Sequence, residues 1–570
     1  MIGKGRSHAM LWAVLVTLAC NGDPVAPTPA VCHAGVQPIV LSVGADTAID
    51  PLASMGCVII AANLSNTDSA EYLIVPQAST TTPDNHSSFK LVGGAPIVAA
   101  PPVAALFQAP APSPAEQFHD RLRLMEQEGS YPQTAGPPAP AGVVGLALAP
   151  PAVITVGDQR TFKVLANISN STIFSFVPAT AQSVGAHVAI YVDNSAPAAG
   201  RLTTPELDAM RDVFDTLLYP VDVGAFGSES DIDHNGLVIV LMSNVINQLV
   251  TKTQCQTSGY VSGFFFGIDI DPSTRTAWNN GEVFYTIVGD PDSLLSCAHP
   301  VSQVKRVVPV TFVHEFQHMI SYNQHVLLRG GNGEVLWLNE GLSHYAEERG
   351  GRAFLQAGDS AHFCDYVRGD LYNLGQYLMN PGPYALVNAS GSGSLAQRGA
   401  YWAFVRFLVD QFTTDTTLAA ADFLTRQMVG TSNTGTDNVQ LRIGAAFATV
   451  ARRWAFANWV SDLPDSLPGY TAPATMRYKH WAFRSAYPVL RALCTPTGTA
   501  QLPDPFPLNA PGGPGAAINV SGTIYAGSAG TYQRALQAAS GAQFTLLFSD
   551  GNGSLLQGSV GPRLNVLRIR

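Results

Sequence analysis

The run Pro309 to Tyr322, PVTFVHEFQHMISY, restricts this chain more than any other segment, because it sets two histidines and a glutamate at H-E-x-x-H spacing within a helical pattern. At about 100° per residue, His314 and His318 fall within about 40° of each other and Glu315 stands near 100°. Pro309, Phe312, Val313, Phe316, Met319 and Ile320 occupy the opposite, apolar side. Residues four apart stack one turn apart on a helix, so both imidazoles can reach one Zn²⁺ at roughly 2.0 to 2.1 Å. Glu315 then stands beside the open coordination position, placed as general base for a zinc-bound water.

A second pattern, LWLNEGLSHYAEE, follows with 21 residues between His318 and Glu340. With Glu340 at zero on a helix, His344 and Glu347 share its face while Leu338 and Leu342 turn away. Glu340 and His344 both suit zinc as a third ligand, and a carboxylate there completes a His₂Glu site with one open position.

HEFQHMI and WLNEGLSHYAEE together resemble the gluzincin metallopeptidases, the clan of the thermolysin-like enzymes and the zinc aminopeptidases. Within that clan the resemblance is to the hyicolysin family of secreted bacterial neutral metallopeptidases. It is carried also by the DIDHNG turn and the following strand that ends in SNVINQL, and it covers roughly residues 155 to 460. The resemblance implies Glu340, in its Asn339-Glu340-Gly341 context, as the third zinc ligand, with His344 left to hydrogen-bond nearby or to donate toward the oxyanion. Thermolysin-like sequences have Asp where this chain has His344. The aminopeptidase branch implies Tyr401, at the start of YWAFVRFLV, as the oxyanion donor, with His344 and Tyr345 as alternatives. The hyicolysin pattern places Glu282 beside the cleft. The metzincin pattern fails at Ser321 and Gln324, and His325 reads as a packing residue.

Upstream, Asp231, Asp233 and Asn235 before Gly236 form the first half of a calcium loop, but Met242 stands where the closing glutamate belongs. A Ca²⁺ site and an Asx-rich turn both fit these letters.

The 570-residue chain has a net charge of -10 with no basic stripe, which disfavours a nucleic-acid partner; a protein or peptide substrate is what the metallopeptidase resemblance implies. Lys4 and Arg6 precede an apolar stretch from Met10 to Ala19 that is too short to span a membrane. Its Leu18-Ala19-Cys20 ending resembles a lipobox, with Thr17 as a departure. An exported protein held to a membrane only by a lipid on Cys20 is the expectation, with simple secretion as the alternative. The other six cysteines form an even set suited to disulfides, with Cys32 to Cys57, Cys255 to Cys297 and Cys364 to Cys494 the simplest pairing.

The chain divides into an export signal (1–20), a tether (21–37), an N-terminal β module (38–98) and a Pro/Ala-rich linker with a short helix (99–154). A metallopeptidase domain (155–495) and a C-terminal β module (496–570) follow. The expected fold class is α+β and multidomain: a zincin-like catalytic domain of mixed sheet and active-site helices, flanked by β-sandwich-like modules. The expected activity is that of a zinc endopeptidase, hydrolysing peptide bonds by Glu315-assisted attack of zinc-bound water. The alternatives are a zinc aminopeptidase, another amide hydrolase, or a surface adhesion protein with a vestigial zinc site.

Overall fold

A computed structural model of the chain describes residues 30–33, 35–93, 111–132, 153–389, 393–463, 472–480, 483–494, 506–528 and 530–570. The signal segment, Cys20 and the tether up to residue 29 lie outside the described residues.

The chain opens with strands β1 (Asp46–Ile49), β2 (Cys57–Ile60), β3 (Ala70–Ala78) and β4 (His86–Gly93), then helix α1 (Pro114–Glu128). Ser113 and Glu116 cap α1 reciprocally, and Gly129 ends it in a left-handed conformation at φ 61°. Strands β5 (Gln159–Leu165), β6 (Phe174–Val184) and β7 (Val188–Asp193) precede helices α2 (Thr204–Val213) and α3 (Tyr219–Phe226). Strand β8 (Val238–Met242), short helices α4 (Asn244–Asn247) and α5 (Lys252–Ser258), and strands β9 (Gly263–Phe265) and β10 (Val283–Thr286) complete the first half. The second half is helical: α6 (Val301–Tyr322), α7 (Leu336–Gln356), α8 (Ser360–Met379), α9 (Leu395–Phe412), α10 (Leu418–Val429), α11 (Gly435–Ile443), α12 (Phe447–Val460) and α13 (Phe483–Cys494). Strands β11 (Gly512–Pro514), β12 (Asn519–Tyr525), β13 (Gln533–Gln537), β14 (Phe544–Ser549) and β15 (Pro562–Arg568) end the chain.

The fold is mixed α+β with three sheets and a helical region. The central sheet has the order β5-β6-β7-β8-β10-β9, with β7, β8 and β10 parallel and β9 antiparallel at one edge. Helix α6 packs on β9, and α7 lies between α6, α8 and α9.

Strands occur at both chain ends, as the alternating patterns require, but they are shared. One sheet runs β1-β15-β3-β13-β11 and the other β12-β4-β14-β2, so each mixes strands from the two ends. The flanking regions therefore form one two-sheet unit, because each end alone would leave unpaired strand edges. Strand β3 is buried at all nine positions. Its Tyr72 and Ile74 face the core between the two sheets, whereas Leu73 and Val75 enter the main core. The period of two in a strand thus serves two cores at once. The six described cysteines pair as Cys32 with Cys57, Cys255 with Cys297 and Cys364 with Cys494.

Candidate metal centre

Helix α6 buries its apolar residues Phe312, Val313, Phe316 and Met319 completely, and this fixes the opposite face toward α7. His314 Nε2 and His318 Nε2 lie 3.1 Å apart. On α7, Glu340 Oε2 lies 3.5 Å from His314 Nε2 and Glu340 Oε1 lies 3.7 Å from His318 Nε2. Close approach of α7 to α9 accounts for the neighbouring Gly341, where a Cβ would fall 2.8 Å from the Tyr401 carbonyl oxygen.

These three residues could hold a metal, and the groups around them fit one. His314 Nδ1 is 2.7 Å from Glu347 Oε1, and His318 Nδ1 is 2.9 Å from Asn339 Oδ1 and 3.0 Å from Ser343 Oγ. With both Nδ1 atoms held, each ring presents Nε2 to the shared point, the arrangement that orients imidazole ligands. Glu340 Oε2 accepts from Arg398 Nη1 at 2.9 Å, while Glu340 Oε1 is buried with no hydrogen-bond partner. An orphaned carboxylate oxygen beside His318 Nε2, with His314 Nε2 next to it, is the polar shortfall that a cation would meet.

Burial acts to lower the His314 imidazole, but the carboxylates of Glu340 and Glu347 outweigh it and bring it to about 9. Burial opposes ionisation of Glu340 as well, yet Arg398 and the two imidazoles hold its carboxyl well below the usual range. The centre is therefore electronegative and draws positive charge.

Glu315 is buried and lines a cavity of about 300 Å³ together with His314, Glu347, Arg398, Thr311 and His119. Its Oε2 accepts from the Phe265 N–H at 2.9 Å. Burial pushes the Glu315 carboxyl upward, against the opposing pull of His314 and Arg123.

His344 stands at the margin of the group. Its Nε2 is 4.0 Å from Glu340 Oε2, and its Nδ1 is 2.9 Å from both Glu347 Oε1 and Asp370 Oδ1. Burial lowers His344, and these two carboxylates outweigh it to raise the imidazole to about 10.

The structure does not bring Tyr401 to the cavity. Its ring is fully buried in the core, and burial, with the carboxylates of Asp120 and Asp84, pushes its phenol well up. Arg398, one turn earlier on α9, is the residue of that helix that reaches the site, so the helix was anticipated and its contributing side chain was not. Glu282 is also elsewhere: its Oε1 accepts from Ser230 Oγ at 2.5 Å and from Ile232 N at 3.2 Å, beside Asp231 and Asp233. These three carboxylates could hold a cation. Asn235 does not join them, since its side chain donates to Asp233 Oδ2 at 2.7 Å and accepts from Leu237 N at 2.7 Å within the turn. His325 is buried 3.7 Å from Glu334 and packs away from the centre.

Asn339, Glu347 and Asp370 emerge as supports of the centre. Glu347 carried a sequence signal through its shared face with Glu340 and Asn339 through the Asn-Glu-Gly context, whereas Asp370 carried none. His119 and Arg123, from the helix in the Pro/Ala-rich linker, carried none.

No protein-family model matches the chain. A stretch of 148 residues is 28% identical to the neutral metalloprotease ShpI of Staphylococcus hyicus. The match covers 26% of this chain and 31% of that protein, so the similarity is distant and spans about a third of the relative.

Proposed function

We propose that this chain is an exported zinc endopeptidase acting on protein or peptide substrates, with His314, His318 and Glu340 as ligands and Glu315 as general base. The observation that supports it most is the convergence of two Nε2 atoms and an orphaned carboxylate oxygen, with Glu315 at the adjoining cavity. The partial similarity to a neutral metalloprotease agrees with this reading. A bound zinc supplies Lewis acidity toward water and a peptide carbonyl.

The chain's own groups do the rest. Glu315 takes a proton on its carboxylate and returns it to the leaving amine, and the basicity that burial gives its carboxyl favours the first transfer. Arg398 holds Glu340 Oε2 so that Oε1 stays turned toward His318. The Nδ1 contacts of His314 and His318 set their tautomers. Casein cleavage that a chelator abolishes and added Zn²⁺ restores is the expected result, and turnover indifferent to the chelator overturns the reading.

Export rests on the signal-like N-terminus and the three cysteine pairs. No helix among the described residues is long and apolar enough to cross a membrane. Lipidation of Cys20 is the proposed anchor, and membrane partition that survives Cys20→Ser would eliminate it.

A further inference from the structure

Helix α1 lies over the centre although the sequence on both sides of it is Pro/Ala-rich: APIVAAPPVAALFQAPAPSP before and YPQTAGPPAPAG after. It packs Phe118 and Leu122 into the main core and ties Arg121 to Ser171 and Glu116 to Leu395 N, and two further sets of contacts reach the site. The first is the catalytic constellation: His119 Nδ1 is 3.6 Å from Glu315 Oε1, Arg123 Nη1 is 3.8 Å from Glu315 Oε2, and Asp120 Oδ1 is 3.2 Å from Arg398 Nη2. The second is the outer edge of β9. Phe265 faces away from β10, and its carbonyl accepts from Arg123 Nη2 at 2.6 Å while its N–H is held by Glu315. Two residues on, Gly267 N donates to Glu126 Oε1 at 2.7 Å.

An edge strand beside a hydrolytic centre offers alternate N–H and C=O groups to an extended peptide, which pairs with it as an added strand. Here side chains of α1 already satisfy the Phe265 carbonyl and the Gly267 N–H. Phe118 packs edge-to-face on Phe264 of the same strand, with ring centroids 5.1 Å apart. Arg123 and Glu126 pair with each other, Nε to Oε2 at 3.1 Å, so the two groups set against β9 balance in charge.

We propose that α1 is an intramolecular inhibitor, seated where a substrate strand would pair with β9 and holding Glu315 through His119 and Arg123. This rests on reading the centre as peptide-hydrolysing. A tethered occupant competes at a high effective concentration, so a peptide in solution binds weakly until α1 leaves.

The test uses the full chain with one specific-protease site inserted before α1 and one after it, so that the protein folds intact and α1 is then released. The probe is a fluorescent ten-residue casein-derived peptide, and its binding is read by anisotropy with metal removed by a chelator, so that no hydrolysis interferes. Release of α1 should tighten binding by about tenfold or more, and a synthetic peptide of residues 113–128 should reverse the gain. The double variant Arg123→Ala/Glu126→Ala, uncut, should shift binding in the same direction. Unchanged affinity after release, or loss of the cooperative thermal transition, makes α1 a structural element and overturns the proposal. With Zn²⁺ restored, tighter binding without casein hydrolysis by any form leaves occlusion standing and removes the peptidase reading. Hydrolysis equally fast before and after release does the reverse.

Discussion

Glu347 Oε1 lies 2.7 Å from Nδ1 of His314, across 33 residues of chain, and its carboxylate also lies 2.9 Å from His344 Nδ1. One side chain, two turns after Glu340 on α7, thereby fixes which nitrogen of His314 faces the shared point. Asp370 Oδ1 lies equally near His344 Nδ1, at 2.9 Å.

His314 could share a metal with His318 and Glu340 or with His344 and Glu347, and the two arrangements predict different metal contents in variants. Glu340→Ala should remove stoichiometric zinc, because it deletes the carboxylate that faces both Nε2 atoms. His344→Ala should keep the metal, and Glu347→Ala should weaken it by about 10- to 100-fold, as loss of an orienting carboxylate does. Elemental analysis and a competition titration on the three variants decide it. Zinc lost from the His344 variant and retained by the Glu340 variant would reverse the assignment.

Glu315→Gln removes the base and leaves the ligands in place. Turnover should fall by about 10²- to 10⁴-fold with zinc still bound near one per chain. Substantial residual hydrolysis would show that another group carries the proton.

Tyr401→Phe should change kcat by less than about threefold, because the phenol lies in the core and does not line the cavity. A loss of about 10²-fold, at unchanged melting temperature, would return Tyr401 to the role of oxyanion donor.

Asp222 on α3 is completely buried, and neither carboxylate oxygen has a hydrogen-bond partner. Burial holds its carboxyl well above the ordinary range, with Arg349 opposing and Asp422 reinforcing the shift. The folded chain therefore keeps a proton that the unfolded chain releases above about pH 4. The associated stability is full below that pH and falls as the pH rises through the raised folded value. Asp222→Asn should flatten this fall and raise Tm at pH 7 by about 2 °C or more. Parallel Tm-versus-pH curves for the two proteins would rule it out.

The sequence determined that His314, His318 and Glu340 can converge because that information is local. His314 and His318 are one turn apart on a helix whose other face is apolar, and Glu340 sits in a second helix whose Leu338 and Leu342 point inward. Spacing and hydrophobic phase suffice for such relationships. The strand-forming character of both chain ends was legible for the same reason, as was the pairing of cysteines nearest in sequence.

Tertiary structure decided whatever depends on which distant segments meet. Asn565 of β15 lies opposite Val75 of β3, and no local pattern encodes that register. Arg398 rather than Tyr401 reaches the site because the packing of α9 against α7 turns one residue toward Glu340 and buries the other. His119 and Arg123 looked like part of a short helix in a Pro/Ala-rich linker. They meet Glu315 only because the edge of β9 leaves backbone groups that α1 can satisfy. Periodicity reports the face a segment buries, and unmet hydrogen bonds and charges then select its partner.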